Sequence, residues 1–552
     1  MTQPEHTQPE QTQQTLYGAF RAVAAQHPQR VAVLEPTDDG VVATTYAELG
    51  QEVEAARHRL AAHGVGRGDR LGYWAENRRD FLVWQLAAAA EGVTVLGINT
   101  RYRAVEVAHV LERGRPTLVV MPERLLEIPM AETLHAAAER AAAEPGWPAP
   151  QVALLPPAGD APRDPGALAA VDLGAGAWWA DEPVAYDAER PATGRPDDLA
   201  MVFTTSGSTG LPKLAGHDQA AVTRHAHEVA RALGYTEGDV LCTVLPLTGV
   251  FSYVPTLAAL AAGVTSLLVP VFDKAGTVRL MHEHGVTHVI GGDDLYDGLH
   301  RGWQEVRLPL ERWRLAGVAS FVGRVEQLIP WLEECSSAAM CGLYGSSEVF
   351  SLTSLRGLDE PQRHLGGGRL VSDGIEVRAV DPGTRSPVEP GTVGLLQFRG
   401  YNVLQAYVQG TELVDPPLED GWFDSGDLGS VDPDGRSFTY AGRAGDALRL
   451  RGFLVQPSEI ELFLIDHPAI SGVKVVGVDD DGRDQAVAFV TVEPGHELDP
   501  EQVLAWCREE LAAFKVPSRV IVIDEMPVTT GTNGSKVRTV ELRRMAQELL
   551  AR

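Results

Sequence analysis

Cysteine is scarce in this sequence: Cys242, Cys335, Cys341 and Cys507 are the only four in 552 residues. They make no Cys-x-x-Cys pair, which excludes a zinc ribbon or a disulfide framework and leaves reduced thiols as the expectation. Positive charge is also in deficit, with 47 Lys and Arg against 75 Asp and Glu, a formal charge of −28. Neutralising phosphates needs clustered cations, so a nucleic-acid partner is excluded and an anionic membrane surface is disfavoured. The longest apolar stretch, Leu257 to Phe272, is too short and too interrupted to span a bilayer. The N-terminus, residues 1–15, lacks a basic start and an apolar core, so it reads as a polar unfolded tail and not as a signal peptide. A soluble, cytoplasmic protein is the expectation.

What is present is an ordinary globular composition, 44% hydrophobic and 22% charged, in a chain too long for one core. From Leu16 to about Val120 helical and strand-like patterns alternate: Thr45 to Ala62 and Phe81 to Ala90 as helices, Arg70 to Trp74 and Val93 to Gly97 as strands. Such alternation predicts an α/β protein with parallel strands. Residues 122–196 are rich in Ala, Pro and Gly and read as loose helices and loops over the surface. A second α/β stretch covers Leu199 to Tyr344, with strands at Val240 to Leu245, Thr265 to Val269 and Thr287 to Ile290. After Gly366, turn signals at Asp381-Pro382-Gly383 and Asp432-Pro433-Asp434-Gly435 indicate a β-rich subdomain. Beyond Gly442 mixed α and β returns, ending in a helix near Thr539 to Ala551. The predicted architecture is α/β: an N-terminal domain (16–443) of two α/β subdomains plus a β-rich one, and a small mobile α+β C-terminal domain (444–552).

Five motifs carry chemistry. The loop Thr205-Ser206-Gly207-Ser208-Thr209-Gly210-Leu-Pro-Lys213 follows the apolar strand Leu199 to Phe203. Its glycines allow close backbone approach, its N–H groups and hydroxyls form an anion-holding nest, and Lys213 adds a full charge. A flexible linker would need neither the strand before it nor the Pro-Lys that ends it, and the spacing is not that of a Walker loop. Tyr344-Gly345-Ser346-Ser347-Glu348 offers an aromatic face for a purine and a carboxylate for Mg²⁺. Asp427, in Gly421-Trp-Phe-Asp-Ser-Gly-Asp427, is placed to accept hydrogen bonds from ribose hydroxyls, though an Asp-Gly turn is common. The glycine-bracketed basic cluster Gly442-Arg443-Ala-Gly445-Asp-Ala-Leu-Arg449-Leu-Arg-Gly452 reads as a mobile joint, with Ser458 as the cap of a following helix. Lys536 stands on a Gly-rich loop, from which a lysine could swing in to stabilise a developing oxyanion.

In this order, across nearly the whole chain, these motifs resemble the AMP-forming adenylating superfamily of acyl-CoA synthetases, standalone adenylation domains and firefly-type luciferases. The resemblance implies that Thr205 to Gly210 with Lys213 hold the ATP phosphates and that Tyr344, with Gly345 and Ser347 beside it, stacks near the adenine. It also implies that Glu348 binds Mg²⁺, that Asp427 and Arg443 bind the ribose, and that Lys536 joins carboxylate to α-phosphate. Gly445 would be the hinge about which the C-terminal domain rotates, bringing Arg449 to the site for transfer to a second substrate, most often coenzyme A.

Departures open the question of that acceptor. Gly249 stands where the family often has His, Gly445 where the hinge is commonly Asp or Lys, and Gly317-Val-Ala-Ser-Phe321 where the adenine loop is usually Gly-Gly-Ala-Pro. Coenzyme A, a separate carrier protein, or nitrite in a diazotisation of an aromatic amine all stay open, as does a non-catalytic nucleotide-binding relic. The resemblance would line the acyl pocket with His225, Thr248, Phe251, Gly292, Asp293, Val318 and Leu343. No Asp lies in Thr248 to Tyr253, so an aryl or alkyl acid is expected over an α-amino acid. Asp293 and Asp294 suit a polar substituent, but capping the next helix is the reading preferred. His282, His284 and His288 fit no zinc spacing and are expected on exposed helix and loop.

Overall fold

The computed structural model describes residues 15–37, 40–144, 146–157, 163–187, 189–205, 212–320, 324–446, 448–450, 453–455, 457–480, 483–511, 515–531 and 534–550. The predicted tail therefore lies outside the described residues, except Thr15, whose side chain caps the helix Leu16–Gln26.

Two large sheets form the body. Helical periodicity from Thr45 gives the helix Tyr46–Ala62, which starts with a capping box: Thr45 Oγ1 accepts from the Glu48 N–H, and the Glu48 carboxylate accepts from the Thr45 N–H at 2.8 Å. The strands Arg70–Tyr73, Thr94–Gly97 and Leu199–Thr204 join a nine-stranded sheet that is parallel through its centre. Residues 122–196 are more than a surface excursion. They contribute the helix Met130–Ala141 and the strands Gln151–Leu154 and Ala177–Trp179, which extend this sheet in parallel. The Ala- and Pro-rich composition hid them because each strand is only three or four residues long.

The second sheet has fourteen strands. Val240–Thr243, Thr265–Leu268, His288–Gly292, Leu315–Ala319 and Ala339–Ser346 lie in its parallel half. At Ala339–Ser346 pairing turns antiparallel, through Phe350–Leu355, and continues into the β-rich part that includes Trp422–Val431 and Ser437–Arg443. The helices Arg79–Glu91 and Val250–Ala261 are buried on nearly every side, as helices held between layers must be. A further strand, Ala406–Gln409, pairs with Leu214–Asp218 and so ties the β-rich part back to the nine-stranded sheet.

The C-terminal part carries a three-stranded sheet, Ile470–Asp480, Arg483–Val492 and Arg519–Val522, with its own core around Val475, Ala488 and Leu504. The expected last helix is Thr539–Leu550. Ser458 lies inside the helix Pro457–Ile465, and its hydroxyl donates to Ala441 O at 2.9 Å, an attachment to the body in place of the expected cap.

Candidate functional site

The sheet's change from parallel to antiparallel pairing gathers one group of motif residues. Tyr344 lies near the end of the strand Ala339–Ser346 with its ring stacked on Phe398 (centroids 5.4 Å apart, 19°) and met by the edge of Phe438. Only 6% of its surface is exposed, so most of the ring is committed to packing. Its hydroxyl donates to Asp427 Oδ2 at 2.5 Å. Burial first, and the Asp427 carboxylate second, push the phenol far above its ordinary value, so it stays a donor. Strand register then sets Arg443 opposite Asp427, with Arg443 Nε 3.1 Å from Asp427 Oδ1. Burial works against the guanidinium charge, but the Asp427 carboxylate, with Glu348 further off, more than offsets it and holds Arg443 cationic.

The hairpin of Leu199–Thr204 and Leu214–Asp218 presents the loop expected to hold phosphate. Its neck is closed by the Thr205 N–H donating to Lys213 O at 2.9 Å; Ser206, Gly207, Ser208, Thr209 and Gly210 lie outside the described residues. Lys213 is exposed, with Nζ 5.3 Å from the centre of the Tyr407 ring. Burial, then the nearby Glu348 carboxylate, raise the Tyr407 phenol. Tyr407 was not visible in the sequence, because its strand reaches Lys213 only through antiparallel pairing with Leu214–Asp218, nearly 200 positions away. Gly345 is required sterically: a Cβ there would lie 2.2 Å from Phe350 O. Among the described residues no three His, Cys, Asp or Glu side chains gather as a metal cluster, so a cation at Glu348 would need phosphate oxygens as further ligands.

The expected acyl pocket is only partly assembled. Gly292 pairs with Ala319, and Leu343 packs with Phe251 and Ile290 in one core. Val318 belongs to a different core, with Leu295 and Tyr296. Alternation along a strand explains this: Val318 pairs with Gly342, so Ala319 shares the Leu343 face. Thr248 is buried at the turn before Gly249, which is the N-cap residue of Val250–Ala261. Asp293 neither caps its helix nor offers a free carboxylate. Gly292 is the cap residue, and Asp293 Oδ2 accepts from Ser320 Oγ (3.2 Å) and the Arg324 N–H (3.0 Å). His225 is wholly bonded inside the protein, Nε2 to Ser351 O at 2.8 Å and Nδ1 to the Tyr401 hydroxyl at 3.1 Å, so neither ring nitrogen faces a substrate. His288 is buried, contrary to expectation, on a central strand; burial takes it down to about 4.

The C-terminal part meets this site. Lys536 lies on the hairpin Val528–Gly531 and Gly534–Val537, whose second strand packs against His288–Gly292 and the helix Asp293–Val306. Its side chain, like that of Arg449 and all of Gly452, lies outside the described residues. Gly445 sits exposed in the short turn Ala444–Asp446.

Residues 20–408 match the profile of the AMP-binding enzyme family, and residues 459–532 match its C-terminal domain. The chain is 26% identical to a putative acyl-CoA synthetase, YngI, of Bacillus subtilis (strain 168), covering 97% of both chains. It is 29% identical to a feruloyl-CoA synthase of an Amycolatopsis species, covering 92% of this chain and 94% of the relative. Its fold is similar to an anthranilate CoA ligase, AuaEII, solved with anthranoyl-AMP, with a TM-score of 0.80 and 20% identity over 98% of this chain and 99% of that one. That fold has the same division into a large N-terminal and a small C-terminal domain. With the profile spanning most of the chain and its motif residues converging on Asp427, this protein belongs to the AMP-binding enzyme family and is an AMP-forming, acid–CoA-ligase-like adenylating enzyme.

Proposed function

We propose that the protein joins an aryl or alkyl carboxylic acid to ATP, releasing pyrophosphate, and passes the acyl group from the acyl-adenylate to the thiol of coenzyme A. The observation that carries this reading is the docking of the Lys536 hairpin on His288–Gly292 and Asp293–Val306, beside the candidate acyl pocket. A carboxylate and a triphosphate repel each other, so attack at the α-phosphate requires cations placed where charge accumulates. Lys213 and the loop at Thr205 would grip the outer phosphates, Asp427 and Arg443 the ribose, and Lys536 the reacting carboxylate. Glu348 would hold Mg²⁺, which supplies charge neutralisation to the leaving pyrophosphate.

The acid's body would lie against Phe251, Leu343, Gly292 and Ala319, an apolar surface with no carboxylate for an α-ammonium. Rotation near Gly445, the proposed boundary between residues 16–443 and 444–552, would withdraw Lys536 and bring Arg449 in for transfer. AMP and pyrophosphate release across a panel of acids, with coenzyme A, a carrier protein or nitrite added in turn, tests the reading. We expect acid-dependent AMP formation and thioester with coenzyme A. Thioester only with a carrier protein, or AMP formation only with an aromatic amine and nitrite, would replace the acceptor; no AMP with any combination would end the enzymatic reading.

A further inference from the structure

The segment that carries Glu348 has an unusual backbone. Phe350 and Leu352 adopt left-handed φ values of 63° and 58°, conformations that bulky side chains rarely take and keep only where their surroundings enforce them. The enforcement is visible carbonyl by carbonyl. Ser347 O accepts from His217 Nε2 at 2.8 Å, and Glu348 O accepts from the Leu404 N–H at 2.8 Å. Val349 O takes Asn402 Nδ2 at 3.1 Å, the Thr353 hydroxyl is shared between Val349 O and Phe350 O (3.0 Å to the latter), and Ser351 O takes His225 Nε2 at 2.8 Å. Five successive carbonyls are thus each satisfied, as buried backbone requires.

The two histidines do more than donate. The Phe350 ring lies between them, 3.8 Å from the His217 centroid at 24° and 4.7 Å from the His225 centroid at 11°. All three rings are buried. Because carbonyls can only accept, both imidazoles must carry their proton on Nε2; the Tyr401 hydroxyl donates to His225 Nδ1 and fixes that tautomer. His217 comes from the strand that follows Lys213, and His225 from the helix after it. The same stretch of chain that presents the phosphate loop therefore also grips the metal-ligand segment.

We propose that His217 and His225 are positioning residues: they clamp Ser347–Ser351 from both sides of Phe350 and so aim Glu348 at its metal–phosphate ligand. The aiming rests on the assignment of Glu348 to Mg²⁺ proposed above; the clamp does not.

The test uses the full-length enzyme in four forms: wild type, His217→Leu, His217→Gln and Glu348→Gln. Hydrogen–deuterium exchange is followed over residues 344–355, together with the Mg²⁺ concentration giving half-maximal AMP formation. Losing one buried hydrogen bond predicts exchange about tenfold faster and a Mg²⁺ requirement about tenfold higher in His217→Leu. Gln presents an N–H close to the imidazole Nε2, so His217→Gln should recover both readouts to within about threefold. If His217→Leu does not fold, His217→Asn, whose shorter amide stops short of the carbonyl, takes its place. Unchanged exchange would overturn the clamp. Faster exchange with an unchanged Mg²⁺ requirement, while Glu348→Gln raises that requirement, would overturn the aiming alone. If Glu348→Gln leaves the requirement unmoved, the metal reading of Glu348 falls, and exchange still decides the clamp.

Discussion

At the junction proposed to hold the nucleotide, a cation is maintained: Arg443 faces Asp427, and its guanidinium is held above its ordinary value. Around Phe350, beside the Glu348 segment, ionisable residues are kept neutral: burial drives His217 down to about 3 and His225 to about 4. The difference follows from what each side must meet. At the junction a buried carboxylate is paired with a half-exposed guanidinium, whereas a packed wall tolerates polar side chains only when they are uncharged and hydrogen-bonded.

Acid attacks the neutral side, and there the largest effect is expected. The folded values of His217 and His225 lie below the value of about 6.5 in an unfolded chain. Below that pH the unfolded state takes protons that the folded state refuses, so stability falls with pH. The slope is about 1.4 kcal/mol per pH unit for each group, continuing to about pH 4 for His225 and about pH 3 for His217. Urea midpoints between pH 7.5 and pH 5 measure this. The double variant His217→Gln/His225→Gln keeps the N–H donors but cannot titrate, and should flatten the profile. An unflattened profile would mean that other groups, such as His288, carry the acid sensitivity.

On the charged side the largest loss is expected at Lys536. Lys536→Ala removes one stabilising cation from the developing charge and should slow AMP formation on the order of 10²–10³-fold. Thioester formation from supplied acyl-adenylate should stay within a few-fold if that step uses the rotated arrangement proposed above. Equal losses in both half-reactions would show that Lys536 maintains the fold of its hairpin and takes no part in adenylation.

The acyl wall should respond in specificity and leave ATP use alone. Ala319→Leu narrows the face shared with Leu343 and should reorder an acid panel by about tenfold, with the KM for ATP moving less than about twofold. Val318→Ala, on the opposite face of the same strand, should leave the ranking unchanged. If Val318→Ala reorders the panel and Ala319→Leu does not, the side of the sheet that faces the acid has been misassigned.

That one-residue shift between Val318 and Ala319 shows where sequence reading stops. Motif residues with charges or glycines were recognisable because their chemistry is local: Gly345 stands where any Cβ would strike Phe350 O, and Asp427 and Arg443 were each visible in their own motif. The Tyr344–Asp427 bond was invisible, since it joins strands 83 positions apart and depends on register. The Phe350 stack was equally hidden, because a histidine two residues before a helix and another within it carry no local sign of a shared partner. The strands of residues 122–196 escaped for a simpler reason, being too short to show a period.

The smallest effect sharpens the charged side most. Tyr344→Phe deletes only the hydroxyl that donates to Asp427 Oδ2, while the ring keeps its packing on Phe398 and Phe438. A hydrogen bond to a carboxylate contributes about 1.5 kcal/mol, so kcat/KM for ATP should fall by about tenfold. If the hydroxyl works by holding Asp427 in place for the ribose, the loss must be specific to ribose recognition. With 2′-deoxy-ATP, which offers one fewer hydroxyl to Asp427, the variant should lose less than with ATP, so that preference for ATP shrinks. A uniform loss on both nucleotides, accompanied by a lowered melting temperature, would instead assign the Tyr344 hydroxyl to the stability of the strand junction and leave the orientation of Asp427 to Arg443 alone.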